Sequence, residues 1–292
     1  MTGNTLGWVI VAFVLYLLMM IAIGAFYAKG NNNSEDYFLG GRKLNGFVAA
    51  LSAQASDMSG WLLMGLPGAI YLTGVGGDGW IAIGLFIGTT LNWLFIATKL
   101  RRYTIRANNS VTLPTYFENR FHDEKKVLMT VSSITIVVFF LVYCASALSA
   151  GGQLFESVFG IDYHVALTIG ALVVLVYTFL GGYMAVSWSN LLQGALMFVA
   201  LLLVPLYAIF HMGGFGDLAQ NLASLDPEFF NFLHGTTDPV QIVVLVSGGL
   251  GIGFMYPGMV HALTGLIAIK DPQEIKDAGL IATIWGCAAL GG

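Results

Sequence analysis

Asp57 is the one carboxylate set in the middle of an apolar run, Phe47 to Thr73, and that run is long enough to cross a bilayer. An ionised group at membrane depth costs roughly 2.5–3.5 kcal/mol on insertion scales, and such groups mark ion or substrate paths. Around Asp57 lie Ser52, Ser56, Ser59, Gly60, Gly65 and Gly68, with Pro67. These residue types let a helix open and expose carbonyl oxygens. Open backbone at membrane depth is tolerated only where it lines a cavity or is covered by protein. A carboxylate beside an opened turn therefore points to an ion or substrate site at the break of a discontinuous helix.

The elements that hold this stretch are membrane helices. Of the 292 residues 57% are hydrophobic and only 10% charged, against about 25% charged in a soluble domain. A β-barrel would need segments of about 10 residues that alternate apolar and polar; the runs here are continuous and about twice as long. The reading is an all-α integral membrane protein. Nothing in the modest charge of −4 suggests nucleic acid. Cys144 and Cys287 fall inside apolar runs and read as small buried hydrophobes, not as a disulfide or a metal pair. The first basic residue, Lys29, follows the first apolar run, which argues against a cleaved signal peptide.

Seven runs can span: Leu6–Ala28, Phe47–Thr73, Trp80–Thr98, Val127–Ala150, Val165–Ala185, Leu191–Phe210 and Val240–Ile269. An eighth begins near Leu280, and the chain is expected to stop inside it. All twelve Lys and Arg residues fall on alternate loops: Lys29, Arg42 and Lys43 in the first, Lys99 to Lys126 in the third, Lys270 and Lys276 in the seventh. The opposite loops carry Asp78, Asp162, Asp217, Asp226, Glu228 and Asp238 without a base. The positive-inside rule then puts the N-terminus outside. The external loop Gly213–Pro239 carries Phe229, Phe230 and Phe232, which can lie on the membrane surface. Gly74-Val-Gly-Gly-Asp-Gly79 matches a dinucleotide-binding pattern, but it joins two spans with no strand before it and is rejected. Gly84 and Gly88 read as a close helix contact.

The stretch Ala53-Gln-Ala-Ser-Asp-Met-Ser-Gly-Trp-Leu-Leu-Met-Gly-Leu-Pro-Gly-Ala69 resembles the second-span motif of the sodium/solute symporter family, and most of all its sodium/proline symporter branch. Three further stretches agree in order and spacing: Tyr37-Phe-Leu-Gly-Gly-Arg42, Phe139-Phe-Leu-Val-Tyr-Cys-Ala-Ser146, and Tyr177 through Gln193. The resemblance covers the chain from about residue 10 to its end. It implies an inverted-repeat fold of five plus five helices. Residues 1–29 would then be a peripheral first helix and 44–212 the first five-helix repeat, spans 2–6. An external loop would follow at 213–239, and 240–292 would start a second repeat that the chain leaves incomplete. On that ground the 292 residues alone are expected not to drive sodium-dependent uptake in proteoliposomes; robust uptake would overturn the truncation argument.

From the residues alone, Asp57 reads as functional ahead of a structural charge paired with a loop base. The resemblance gives it a part in sodium binding, with backbone carbonyls of Ala55 and Met58 as ion ligands; hard oxygens suit a hard cation. Ser59 and Gly60 would border the substrate. On spacing alone Trp61 and Tyr143 are packing aromatics. The resemblance sets them, with Tyr256, at the proline site, where ring faces suit a pyrrolidine and its cationic nitrogen. In span 7 the chain departs from the branch: Ile252 stands for tryptophan, Val260 for proline and Gly265 for arginine, while Ser189-Asn190 replaces Thr-Asp. Another small solute therefore stays open beside L-proline. His261 reads as a satisfied interior histidine, since no second histidine or cysteine is placed to share a metal with it. Arg101, Arg102 and Arg106 are topology determinants.

The function expected is sodium-coupled symport by alternating access across the cytoplasmic membrane. Its partners are sodium, a small solute and the bilayer, with no cofactor besides the coupling ion. A non-transporting sensor module would need a soluble signalling domain. A membrane enzyme would need a nucleophile–base pair or a metal cluster at depth, and no histidine lies near Asp57 in sequence.

Overall fold

The structure is a computed structural model that describes residues 3–57, 60–233 and 235–291; the side chains of 3–6 and of Leu63 are outside that description. It is helical, and the one bridge between extended residues among those described is a parallel pair, Leu44 with Ile269. Five helical stretches are long and apolar enough to cross a membrane: Gly7–Ala28, Leu66–Arg106, Val127–Phe159, Tyr163–His211 and Pro239–Gly258. The chain is a multi-pass membrane protein.

Tyr163–His211 holds two of the expected spans, and Leu66–Arg106 holds one with the end of the span before it. Leu66–Arg106 has 41 residues and Tyr163–His211 has 49. At 1.5 Å per residue they would run to roughly 60 and 75 Å, about twice the hydrocarbon core or more. Glycines interrupt both. Gly74 in α4 (Leu66–Leu91) has φ 71°, ψ 175°, and Gly182 in α8 (Tyr163–His211) has φ 58°, ψ −154°. No residue with a Cβ adopts these angles cheaply, so the helical ladder is interrupted where the sequence offers glycine. The link expected over Gly74–Gly79 is therefore shorter than the sequence suggested. Helix resumes directly after Gly74, and the Val75 N–H donates to the Phe229 carbonyl at 2.8 Å.

The chain divides into two compact units. One comprises Met1–Leu44, Arg101–Asn190 and Ile267–Lys270. It contains α1 (Gly3–Ala28), α2 (Ser34–Leu39), α6 (Leu113–Phe121) and α7 (Val127–Phe159), with most of α5 (Thr98–Arg106). The Asn33 side chain accepts from the Asp36 N–H at 2.8 Å to start α2, and Gly40 ends it in the left-handed region. Arg42 is buried: Nε meets Glu35 at 3.1 Å, and its Nη atoms donate to the Ile267 and Ser110 carbonyls at 3.1 and 2.9 Å. Burial pulls this guanidinium below its ordinary value, and Glu35 pulls it back up. Arg101 donates to the carbonyls of Ile269 at 2.6 Å and Lys270 at 3.3 Å, and the Lys270 N–H donates to the Leu44 carbonyl at 2.7 Å. Arg101 thus does more than mark topology.

The other unit comprises Asn45–Leu100, Leu191–Leu266 and Asp271–Gly292. It holds α3 (Gly46–Asp57), α4, α9 (Phe215–Leu225), α10 (Pro239–Phe254), most of α11 (Val260–Ala268), α12 (Ile275–Gly291) and the second part of α8. Leu51, Leu62, Leu66, Trp285 and Ala289 form one core. Helices α4 and α10 touch backbone to backbone. A Cβ placed on Gly84 would lie 2.6 Å from the Gly249 carbonyl oxygen and 2.8 Å from the Leu250 Cα, which is the close contact expected of Gly84 and Gly88. The expected external loop contains α9, and its phenylalanines do more than float: Trp80 donates to the Phe232 carbonyl at 2.9 Å and stacks edge-on to that ring. Cys144 and Cys287 are exposed, not buried. A helix facing lipid is apolar on its outside as well, so residue type did not reveal the face.

Candidate functional site

Helix α3 is buried at Gly46 and from Val48 through Gln54. Its N-terminus is held by Glu274, whose carboxylate accepts the Gly46 N–H at 2.6 Å, an anion at the positive end of the helix dipole. Near its other end the Ser56 hydroxyl donates back to the Ser52 carbonyl at 2.9 Å. Ala55 is half-buried and faces Gly194 of α8, where an added Cβ would sit 3.1 Å from its methyl carbon. Asp57 is the last residue of α3 before the two undescribed positions. Met58 and Ser59, expected at the ion and the substrate, lie outside the described residues. Beyond them Gly60 is half-buried, and Trp61–Gly65 winds in π-type turns, a geometry frequent at functional sites. Trp61 is 40% exposed.

An interruption of span 7 lies in the same unit. Helix α10 ends at Phe254, Tyr256–Gly258 makes one 3₁₀ turn, Met259 is extended at φ −73°, ψ 106°, and α11 restarts at Val260. Pro257 lacks an N–H and cannot continue the α ladder. Tyr256 is 1% exposed, and its hydroxyl donates to Gln54 Oε1 at 2.9 Å. Gln54, fully buried, donates through Nε2 to the Ala282 carbonyl of α12 at 3.2 Å. His261, the second residue of α11, places Nε2 3.4 Å from Asp57 Oδ1, with both side chains largely buried.

The structure therefore sets Ala55, Asp57, Gly60 and Trp61 along one stretch and Tyr256 within the same unit. Tyr143 sits on α7 in the other unit, 38% exposed and tilted against Phe140 at 5.7 Å. Sequence reasoning missed Gln54 altogether, and missed that the histidine 204 positions from Asp57 is its neighbour. A signal was present: a carboxylate and a histidine each lie within apolar runs, and such groups seek one another. Chemically, a largely buried carboxylate such as Asp57 can take a hard monovalent cation. No group of three or more His, Cys, Asp or Glu side chains able to hold a metal occurs among the described residues. A separate cavity of about 620 Å³, lined by Leu66, Ile70, Tyr71, Val204 and Leu290 among others, has no charged wall and is unsuited to an ion.

Comparison with known proteins agrees with this geometry. A family model described as the sodium:solute symporter family matches residues 37–291. The high-affinity proline transporter PutP of Bacillus subtilis is 48% identical over 266 residues, 91% of this chain and 55% of that protein. The sodium/proline symporter of Escherichia coli is 44% identical over 283 residues, 97% of this chain and 55% of that protein. The chain thus spans about half the length of the curated relatives it matches. Among solved structures, a substrate-bound, outward-open Na⁺-coupled sialic acid symporter superposes with a TM-score of 0.75 at 20% identity, over 94% of this chain and 57% of that one. With a family match over residues 37–291 and relatives above 40% identity across nearly all of its length, the chain belongs to the sodium:solute symporter family.

Proposed function

We propose that this chain forms the sodium-binding part of a sodium-coupled proline symporter of the cell membrane, working by alternating access with the N-terminus outside. The observation that carries this is the Asp57 carboxylate on α3, its side chain largely buried, with the π-type turns of Trp61–Gly65 further along the same stretch. Residues 44–212 act as the first five-helix repeat, 1–29 as a peripheral helix, 213–239 as an external loop and 240–292 as the opening of a second repeat. Sodium is held by Asp57 with the carbonyls of Ala55 and Met58. The solute is bordered by Ser59, Gly60, Trp61, Tyr143 and Tyr256. No covalent step is needed, so the protein is a carrier and not an enzyme. Sodium stabilises the state with a competent solute site, and the gradient supplies the work. One charge moving through 100 mV is worth roughly 2.3 kcal/mol, or roughly fifty-fold accumulation.

Ile252, Val260 and Gly265 support a second reading, a related small organic solute, because they alter the span that carries Tyr256. One experiment separates the two. Cells lacking their own carriers express the complete gene, and uptake of labelled proline is measured with sodium and with potassium in its place. Sodium-dependent proline accumulation is the expected result. Sodium-dependent uptake of another amino acid without proline supports the second reading, and sodium-independent uptake overturns both.

A further inference from the structure

Two side chains that the transport reading does not use join α3 to the interruption in span 7. On α3, Gln54 and Asp57 are three residues apart and therefore share a face. Gln54 reaches forward to Tyr256 on one flank of the span-7 interruption, and Asp57 meets His261 on the other. Gln54 also fastens α12 through the Ala282 carbonyl. We propose that Gln54 and His261 are positioning residues that transmit sodium occupancy at Asp57 to the solute site at the span-7 interruption. The inference rests on the sodium-coupled reading above.

The physical reason is the shared carboxylate. A cation beside Asp57 redirects the oxygen that His261 approaches. His261 stands in the first turn of α11, so moving it moves the start of that helix and the 3₁₀ turn before it. Gln54 keeps the Tyr256 hydroxyl in step with α3, since its amide accepts from tyrosine and donates to α12 at once. Buried bonds of this kind are not exchanged for water, so the link is stiff. Linkage requires that sodium strengthen solute binding by the same factor that solute strengthens sodium binding.

The test is equilibrium proline binding to the purified complete gene product, without sodium and at saturating sodium. The ratio of the two dissociation constants is the coupling factor. His261→Ala and Gln54→Leu are each expected to lower it by about tenfold, well within the usual range of coupling between sites. His261→Ala should leave sodium-free proline affinity as in the parent, whereas Gln54→Leu, which strands the Tyr256 hydroxyl and the Ala282 carbonyl, should also lower the melting temperature. His261→Gln keeps an N–H donor and should recover most of the factor. A coupling factor unchanged in both His261→Ala and Gln54→Leu overturns the proposal. So does an equal loss of affinity with and without sodium, which would make these residues part of the solute site. If His261→Ala does not fold, His261→Asn against His261→Gln decides on the same criterion. A parent protein that binds proline without any effect of sodium refutes the underlying reading instead, and is seen before any variant is made.

Discussion

The π-type turns of Trp61–Gly65 and the break at Tyr256–Gly258 depart from the α ladder in opposite ways. Around the first stand glycines at 60, 65 and 68 and a Trp61 that is 40% exposed. At Tyr256–Gly258 the chain is tight: a single 3₁₀ turn, a proline, and a tyrosine with 1% of its surface exposed. The first suits a site that must admit and release an ion. The second suits a fixed reference against which that ion is sensed.

The comparison can be broken most severely at the carboxylate. Asp57→Asn keeps shape and removes charge, and is expected to cut sodium-dependent uptake at low sodium by more than about a hundredfold, the scale of a lost charge-assisted contact of about 3 kcal/mol. Uptake measured against sodium concentration checks it; a parental curve would remove Asp57 from the ion site. Next in size is the contact that holds α4 to α10. Gly84→Val puts a branched side chain where a Cβ already lies 2.6 Å from a carbonyl oxygen, and should destabilise the fold by about 3 kcal/mol or more. A melting temperature within experimental error of the parent would refute the close crossing.

These two sites were unequally legible. Asp57 announced itself, because a charge in an apolar run needs no partner to be conspicuous. The glycine contact was half legible: Gly84-x-x-x-Gly88 was visible on α4, but its receiving face, Gly249 and Gly253, lies far along the chain. Long apolar stretches were legible from run length, but not where one passes into the next. The interruption at Gly74 falls where the Gly74–Gly79 link was expected, whereas that at Gly182, inside the expected span Val165–Ala185, was not legible, since a glycine in an apolar run reads equally as packing. Gln54 with Tyr256 and Asp57 with His261 are 202 and 204 positions apart. Only the fold brings such pairs together, and no local periodicity records them. The exposed cysteines show the remaining blind spot: in a membrane protein an apolar residue faces core or lipid with equal ease.

Two smaller changes sharpen the rigid side of the contrast. Tyr256→Phe leaves Gln54 Oε1 without its donor and should cost about 1–2 kcal/mol of stability, the penalty for an unmade buried bond. Thermal unfolding of the purified protein measures it; a neutral result would mean that the turn is held by packing alone. Asn92 packs in the segment beside that turn, is 1% exposed, and neither end of its amide has a hydrogen-bond partner among the described residues. Asn92→Leu should raise stability by about 1 kcal/mol with transport retained. A loss of transport instead would assign the amide a bound water or ion on the working path.

The buried guanidiniums of the first unit bear on how the folded chain meets a protease. Trypsin must draw a basic side chain into a deep acidic slot. Arg42 cannot be drawn, because Glu35 and two backbone carbonyls hold it under cover, and Arg101 is likewise tied down by Ile269 and Lys270. Its neighbour Lys43 stands 69% exposed, and Lys126 62%. Limited digestion of the native protein should therefore nick after residues 43 and 126 and spare 42 and 101. Cleavage after 42 would appear only once the arginine clasp has opened, so the fragment pattern can serve as a clock for that opening.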